Sequence, residues 1–147
     1  MTRICAGEPT MNGKQPVPLC KAFLPCKQLL MSKNGVDTAL MGLPRSFTHH
    51  VFPAATPLGF FARLSSAHGE YQVEVQLVSM DGEVVWRDGP PEPLKMDDPL
   101  KLYDVRMKTC VAIPKPGQYD LVLMTNGEEV ARQPFAAHLA TKTAKKP

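Results

Sequence analysis

From Tyr71 to Leu77 apolar and polar side chains take turns at every step, Tyr-Gln-Val-Glu-Val-Gln-Leu, and no other stretch limits the fold so narrowly. Successive side chains of a strand point to opposite faces, so this run predicts a half-buried β-strand. Met80-Asp81-Gly82 comes next. An Asp-Gly step accepts the positive backbone angles of a tight hairpin, so Glu83 to Arg87, with the chain's single tryptophan Trp86, is expected to return antiparallel. Upstream, Leu58, Phe60, Ala62 and Leu64 form another period-two series, closed by Ser65-Ser66-Ala67-His68-Gly69. Residues 57 to 87 therefore predict a three-stranded meander whose apolar face requires a second layer.

The same grammar recurs on both sides. Residues 1 to 15 lack periodicity and read as a flexible leader. Val17 to Met31 is apolar but broken by Pro18 and Pro25, which excludes a continuous helix and favours edge strands. Asn34-Gly35 predicts that Gln28 to Met31 pairs with Val36 to Leu43. Ser46 to Thr56 reads as a crossing loop or irregular edge strand, with a bend at Phe52-Pro53. Gly89-Pro90-Pro91-Glu92-Pro93 cannot enter a central strand and is a surface connection, continued by Lys95 to Pro99. Tyr103, Val105, Met107, Thr109, Val111 and Ile113 then alternate with Asp104, Arg106, Lys108 and Cys110. Gln118 to Thr125 is nearly all apolar, as in a strand buried on both faces, and Asn126-Gly127 predicts a final hairpin with Glu128 to Ala136. The tail from residue 137 is polar, basic and expected to be disordered.

About eight strands with this spacing of turns predict an all-β fold, an antiparallel two-sheet sandwich of immunoglobulin-like or Greek-key type. The 15 prolines and 10 glycines point the same way, towards short elements joined by turns. At 147 residues one domain is expected, over residues 16 to 136. No run reaches the roughly 18 apolar residues of a membrane span, and Glu8-Pro9 interrupts any export signal, so a cytoplasmic location is expected. The net charge of +3 sits outside that domain: Lys142, Lys145 and Lys146 equal it, and Arg3, Lys14 and Glu8 add one more, leaving −1 over residues 16 to 136. A near-neutral body argues against nucleic-acid binding, which needs a basic face. Cys5, Cys20, Cys26 and Cys110 lack the close pairing of a zinc site, since even Cys20 and Cys26 have five residues between them. On one regular strand Cys20 and Cys26 would share a face as free core cysteines.

The chain resembles a family of small bacterial proteins known as a domain of unknown function with a β-sandwich fold. The likeness runs through LPCKQLLMSKNGVDTALMGL, the FP followed by PLGFFARL, the hairpin GEYQVEVQLVSMDGEVV and the closing PKPGQYDLVLMTNGEEVARQPF. It covers roughly residues 19 to 136 and implies a fold, with no activity and no catalytic residue.

Little in the sequence points to catalysis. His49-His50 project to opposite faces of any strand and have no carboxylate within four residues, so metal ligation is not expected. Ser65-Ser66 and His68 lie together in a turn, where hydroxyls more often bond the local backbone. A nucleophile elbow and a glycine-rich phosphate cradle are both absent from the sequence. No enzyme activity and no cofactor are expected. What the sequence supports is a binding or assembly module, with an unknown protein or another copy of the chain as partner. Its expected site is the loop from Gly89 to Met96, with Trp86 or Phe52 as an aromatic anchor. The alternative is small-ligand or carbohydrate binding on an aromatic platform.

Overall fold

A computed structural model describes residues 15 to 140. Those residues form strands and turns, and no helix among them is long and apolar enough to cross a membrane. The strands are β1 (Leu19–Cys26), β2 (Gln28–Met31), β3 (Thr38–Met41), β4 (Ser46–His49), β5 (Ala54–Ser65), β6 (Gly69–Tyr71), β7 (Val73–Ser79), β8 (Val84–Asp88), β9 (Leu94–Met96), β10 (Tyr103–Ile113), β11 (Gly117–Thr125) and β12 (Glu128–Leu139). One sheet has the order β1-β5-β10 and a larger one the order β4-β12-β11-β7-β8; β2-β3 and β6-β9 form two small ribbons.

All three predicted hairpins are present, each where the turn chemistry placed it. Gln28–Met31 pairs with Thr38–Met41 across Gly35 at φ 74°, β7 pairs with β8 across Gly82 at φ 87°, and β11 pairs with β12 across Asn126-Gly127, both in the left-handed region. The meander expected over residues 57 to 87 is corrected. The β5 strand pairs with β1 and β10, whereas β7 pairs with β8 and β11. Between them Ser66 has φ 63°, its N–H donates to the Pro99 carbonyl at 3.1 Å, and β6 pairs with β9, so the segment passes from one sheet to the other. The physical reason is that β5 has apolar side chains on both faces. Leu58, Phe60, Ala62 and Leu64 enter the main core and Phe61 packs in a second cluster, so β5 takes the middle of a sheet with cover on both sides.

The main core gathers one face from each large sheet: Phe60 and Leu64 of β5, Val111 and Ile113 of β10, Leu77 of β7, Leu121 and Leu123 of β11, and Phe135 of β12. Leu64, Leu77, Val111, Ile113, Leu121 and Leu123 have no exposed surface. Each such side chain contributes about 1.5–3 kcal/mol by leaving water. The smaller cluster, Cys26, Leu29 and Phe61, forms on the outer face of the three-stranded sheet, where the β2-β3 hairpin folds down as a flap.

Two further expectations change. Cys20 and Cys26 do not share a face, because the β1-β5 register slips between Cys20 and Ala22. That bulge reverses the alternation, so Cys20 packs against the main core beside Leu64 and Cys26 lies under the flap beside Gly59. Burial raises both thiol pKa values above the ordinary range. The pairing is also not antiparallel throughout, since β4 runs parallel to β12, Ala136 to Leu139 facing Ser46 to His49. This contact extends β12 three residues into the stretch read as tail; residues 1 to 14 of the expected leader and 141 to 147 lie outside the described residues.

Candidate interaction site

The proline-rich connection does not wander. Gly89 passes so close to the Val73 carbonyl that a Cβ would collide with it. Leu94–Met96 pairs with Gly69–Tyr71, and Met96 is fully buried in the main core. Tyr103 Oη then accepts the backbone N–H groups of Asp97 at 3.0 Å and Asp98 at 2.9 Å. A backbone contact, a buried side chain and two hydrogen bonds hold the loop beside the start of β10.

Between that loop and β10 lies a cleft of about 310 Å³, walled by Pro90, Glu92, Pro93 and Leu94 on one side and by Asp104, Val105 and Arg106 on the other, with Met31 of the flap also lining it. Asp104 and Arg106 project to one face of the sheet and Val105 to the other, so a cleft touching all three runs along the strand's edge. β10 is the end strand of its sheet, and none of the backbone hydrogen bonds outside the paired strands reaches Tyr103–Ile113 among the described residues. The edge is closed farther along, where Thr109 Oγ1 donates to Asp88 Oδ2 at 2.5 Å.

Charge beside the cleft is ordered. Arg63 donates through Nε to Asp104 Oδ1 at 2.7 Å and through Nη2 to Oδ2 at 3.0 Å, a two-pronged grip that holds the Asp104 carboxyl below the usual carboxylate range. Arg106 donates to Thr38 Oγ1 at 2.7 Å and to the Gly35 carbonyl at 3.3 Å, tying the flap to β10, with Asp104 3.8 Å away. On the same face Lys108 is exposed.

The flap itself presents apolar surface. Of the twelve large exposed apolar side chains among the described residues, five fall between residues 30 and 43: Leu30, Met31, Val36, Met41 and Leu43. Leu29 and Leu40 face each other across the ribbon and turn inward, which leaves Leu30 and Met41 on the outward face. A larger hollow of about 460 Å³ lies between the turns at residues 79–83 and 114–118. There the Ser79–Glu83 turn is bonded locally, Gly82 N–H to the Ser79 carbonyl and Ser79 N–H to the Glu83 carbonyl, and Val85 of the end strand β8 borders the hollow.

The loop predicted from sequence does border the cleft, but none of Phe52, Trp86, Gly89 and Met96 lines it. Met96 is the core anchor of the loop and Gly89 the point of closest backbone approach. Trp86 is half-buried, its ring stacked on Phe60 at 6.3 Å because its partner across the hairpin is the inward Leu77. Phe52, before the cis Phe52-Pro53 bond, sits edge-on to His49 at 5.9 Å. It lies towards Ala54 and Ile113, the end of β5 and β10 away from the cleft. His49 meets the buried Thr56 hydroxyl at 2.6 Å, while His50 is exposed. Nothing in the sequence marks Asp104, Val105, Arg106 or the flap as site residues; the unbroken 103–113 alternation marks a long strand without saying that one of its edges is left over.

No family model matches the chain, and no curated protein matches it. Among solved structures it is similar to the Pseudomonas fluorescens alkylpurine DNA glycosylase AlkC bound to DNA containing an abasic site analog, at 11% identity and a TM-score of 0.46. The match covers 79% of this chain and 30% of that one, so the chain spans less than a third of that protein's length.

Proposed function

We propose that the chain is a non-enzymatic protein-interaction module built on an immunoglobulin-like β-sandwich, of the bacterial family it resembles. The sandwich reading is supported by the division of the long strands between the β1-β5-β10 and β4-β12-β11-β7-β8 sheets around one core, with the chain crossing between them after the β2-β3 hairpin, β4, β5, β8 and β10. The interaction reading rests on one observation: exposed apolar side chains concentrate on a flap that belongs to neither large sheet. Grouped apolar surface of this kind marks partner contact, whereas scattered single residues do not. Carbohydrate binding is disfavoured because no aromatic ring is among the large exposed apolar side chains described. Cys20, Cys26 and Cys110 are free thiols, which suits a reducing compartment such as the cytoplasm.

The test is a paired substitution, Leu30→Glu with Met41→Glu, on the outward face of the flap. Both side chains are exposed, so thermal stability is expected to hold within about 0.5 kcal/mol for each. The set of proteins recovered by cross-linking in the native cell is expected to shrink for this variant. An unchanged set, with the variant folded, overturns the reading.

A further inference from the structure

We infer that the open edge of β10 takes an extended segment of a partner protein as an additional strand of the three-stranded sheet, with apolar side chains facing the cleft and acidic ones facing outward. The inference deepens the interaction reading and rests on it. Three observations carry it. Alternate residues of an end strand direct both N–H and C=O away from the sheet, and such a row is completed most fully by another extended backbone. From Tyr103 to Lys108 that edge makes no backbone hydrogen bond among the described residues, and at Thr109 the side-chain bond to Asp88 shuts it. Six residues at about 3.3 Å each give room for a strand of ordinary length. The cleft lies along this stretch, its wall fixed in advance by Met96, Gly89 and Tyr103, so little ordering is left to be done on binding.

The side chains beside the edge specify the occupant. Leu94 and Val105 offer apolar surface to the inward side chains of an added strand. On the outward face Asp104 is gripped by Arg63 and shared at 3.8 Å with Arg106, whose shortest bonds go to neutral oxygens, and Lys108 has no ion pair among the described residues. Three cations, Arg63, Arg106 and Lys108, thus share that face with the single Asp104 carboxylate, an excess that favours acidic side chains opposite. A second copy of the chain fits poorly. Antiparallel self-pairing centred on Met107 or Lys108 sets cation against cation, and centring on Val105 or Arg106 draws its opposite-charge pairs from the Asp104 carboxylate that Arg63 already grips.

A blocked peptide alternating valine and glutamate is the probe, titrated into the isotope-labelled full chain and followed by amide resonances. Shifts are expected to concentrate on residues 103–108 and 90–94. Backbone N-methylation at alternate residues is expected to weaken binding about tenfold or more, since each lost hydrogen bond costs about 1 kcal/mol. A valine-lysine peptide is expected to bind about tenfold more weakly, and Lys108→Glu to reverse that preference. Binding indifferent to N-methylation, shifts centred elsewhere, or no shifts at millimolar peptide overturns the inference. So does a dimer in sedimentation that competes with the peptide, because the occupant is then a second copy. If Leu30→Glu/Met41→Glu loses its partners while the peptide fails, the interaction reading stands and the strand-addition inference alone falls.

Discussion

The three-stranded sheet meets the larger sheet differently on its two sides. On the β1 side Gln133 of β12 reaches across, its Nε2 donating to the Phe23 carbonyl at 2.6 Å, and Phe23 is buried in the common core. On the β10 side β8 ends at Asp88, and beyond Thr109 the two sheets separate around a cleft with a proline-rich wall. Proline cannot supply the N–H that would complete β10, so the connection that could have become its neighbouring strand stands off as a loop instead. An end strand is a liability when bare. Here one side is closed by a side chain and the other left open but bordered by charges, a difference that separates stability from binding within one sheet.

The largest expected effect lies on the open side. Met96→Ala removes the fully buried anchor of the cleft wall and is expected to destabilise the protein by about 2–5 kcal/mol in urea unfolding. A cost below about 1 kcal/mol would show that the wall is held mainly by its hydrogen bonds. Gln133→Ala tests the closed side. It removes the donor to the Phe23 carbonyl and is expected to cost about 1 kcal/mol and to speed amide exchange in β1 ahead of β10. Equal exchange on the two sides would mean that β1 and β10 are held alike.

The smallest effect is electrostatic. Because Arg63 holds the Asp104 pKa below its unfolded value, the native carboxylate binds protons less readily than the unfolded one. Its stabilising contribution is therefore present above the unfolded pKa, about 3.9, and is lost as pH falls through the lower folded value. Glu129, gripped by Arg132 at 2.9 and 3.0 Å, acts in the same direction. Asp104→Asn is expected to flatten the acid limb of the stability curve while leaving its slope above pH 6 unchanged. An equally steep acid limb in the variant would assign the loss to other carboxylates.

Much of the local structure was legible because it depends on chemistry within a few residues. Asn34-Gly35, Asp81-Gly82 and Asn126-Gly127 mark hairpins by their backbone angles alone, and the 103–113 alternation marks one long strand. Faces were less secure. A single bulge after Cys20 sends Cys20 and Cys26 to opposite sides of β1, and nothing local signals it. For Trp86 and Phe52 an aromatic ring reads alike as core or anchor, and burial against Phe60 and contact with His49 decide the matter only in three dimensions. The loop from Gly89 to Met96 was found, yet its two named residues turned out to hold the wall from behind, where Met96 meets the core and Gly89 the Val73 carbonyl.

By itself the sequence determined that this chain forms many short strands, where three of its hairpins turn, and that its central body is nearly neutral, since each follows from side-chain period, turn residues or charge. Which strands became neighbours outside those hairpins was decided only in the tertiary structure. Period-two patterns say which side chains seek the interior but carry no label for the partner on either edge. The separation of β5 from β7, the parallel β4-β12 contact and the open side of β10 emerge only when all apolar faces compete for one shared core.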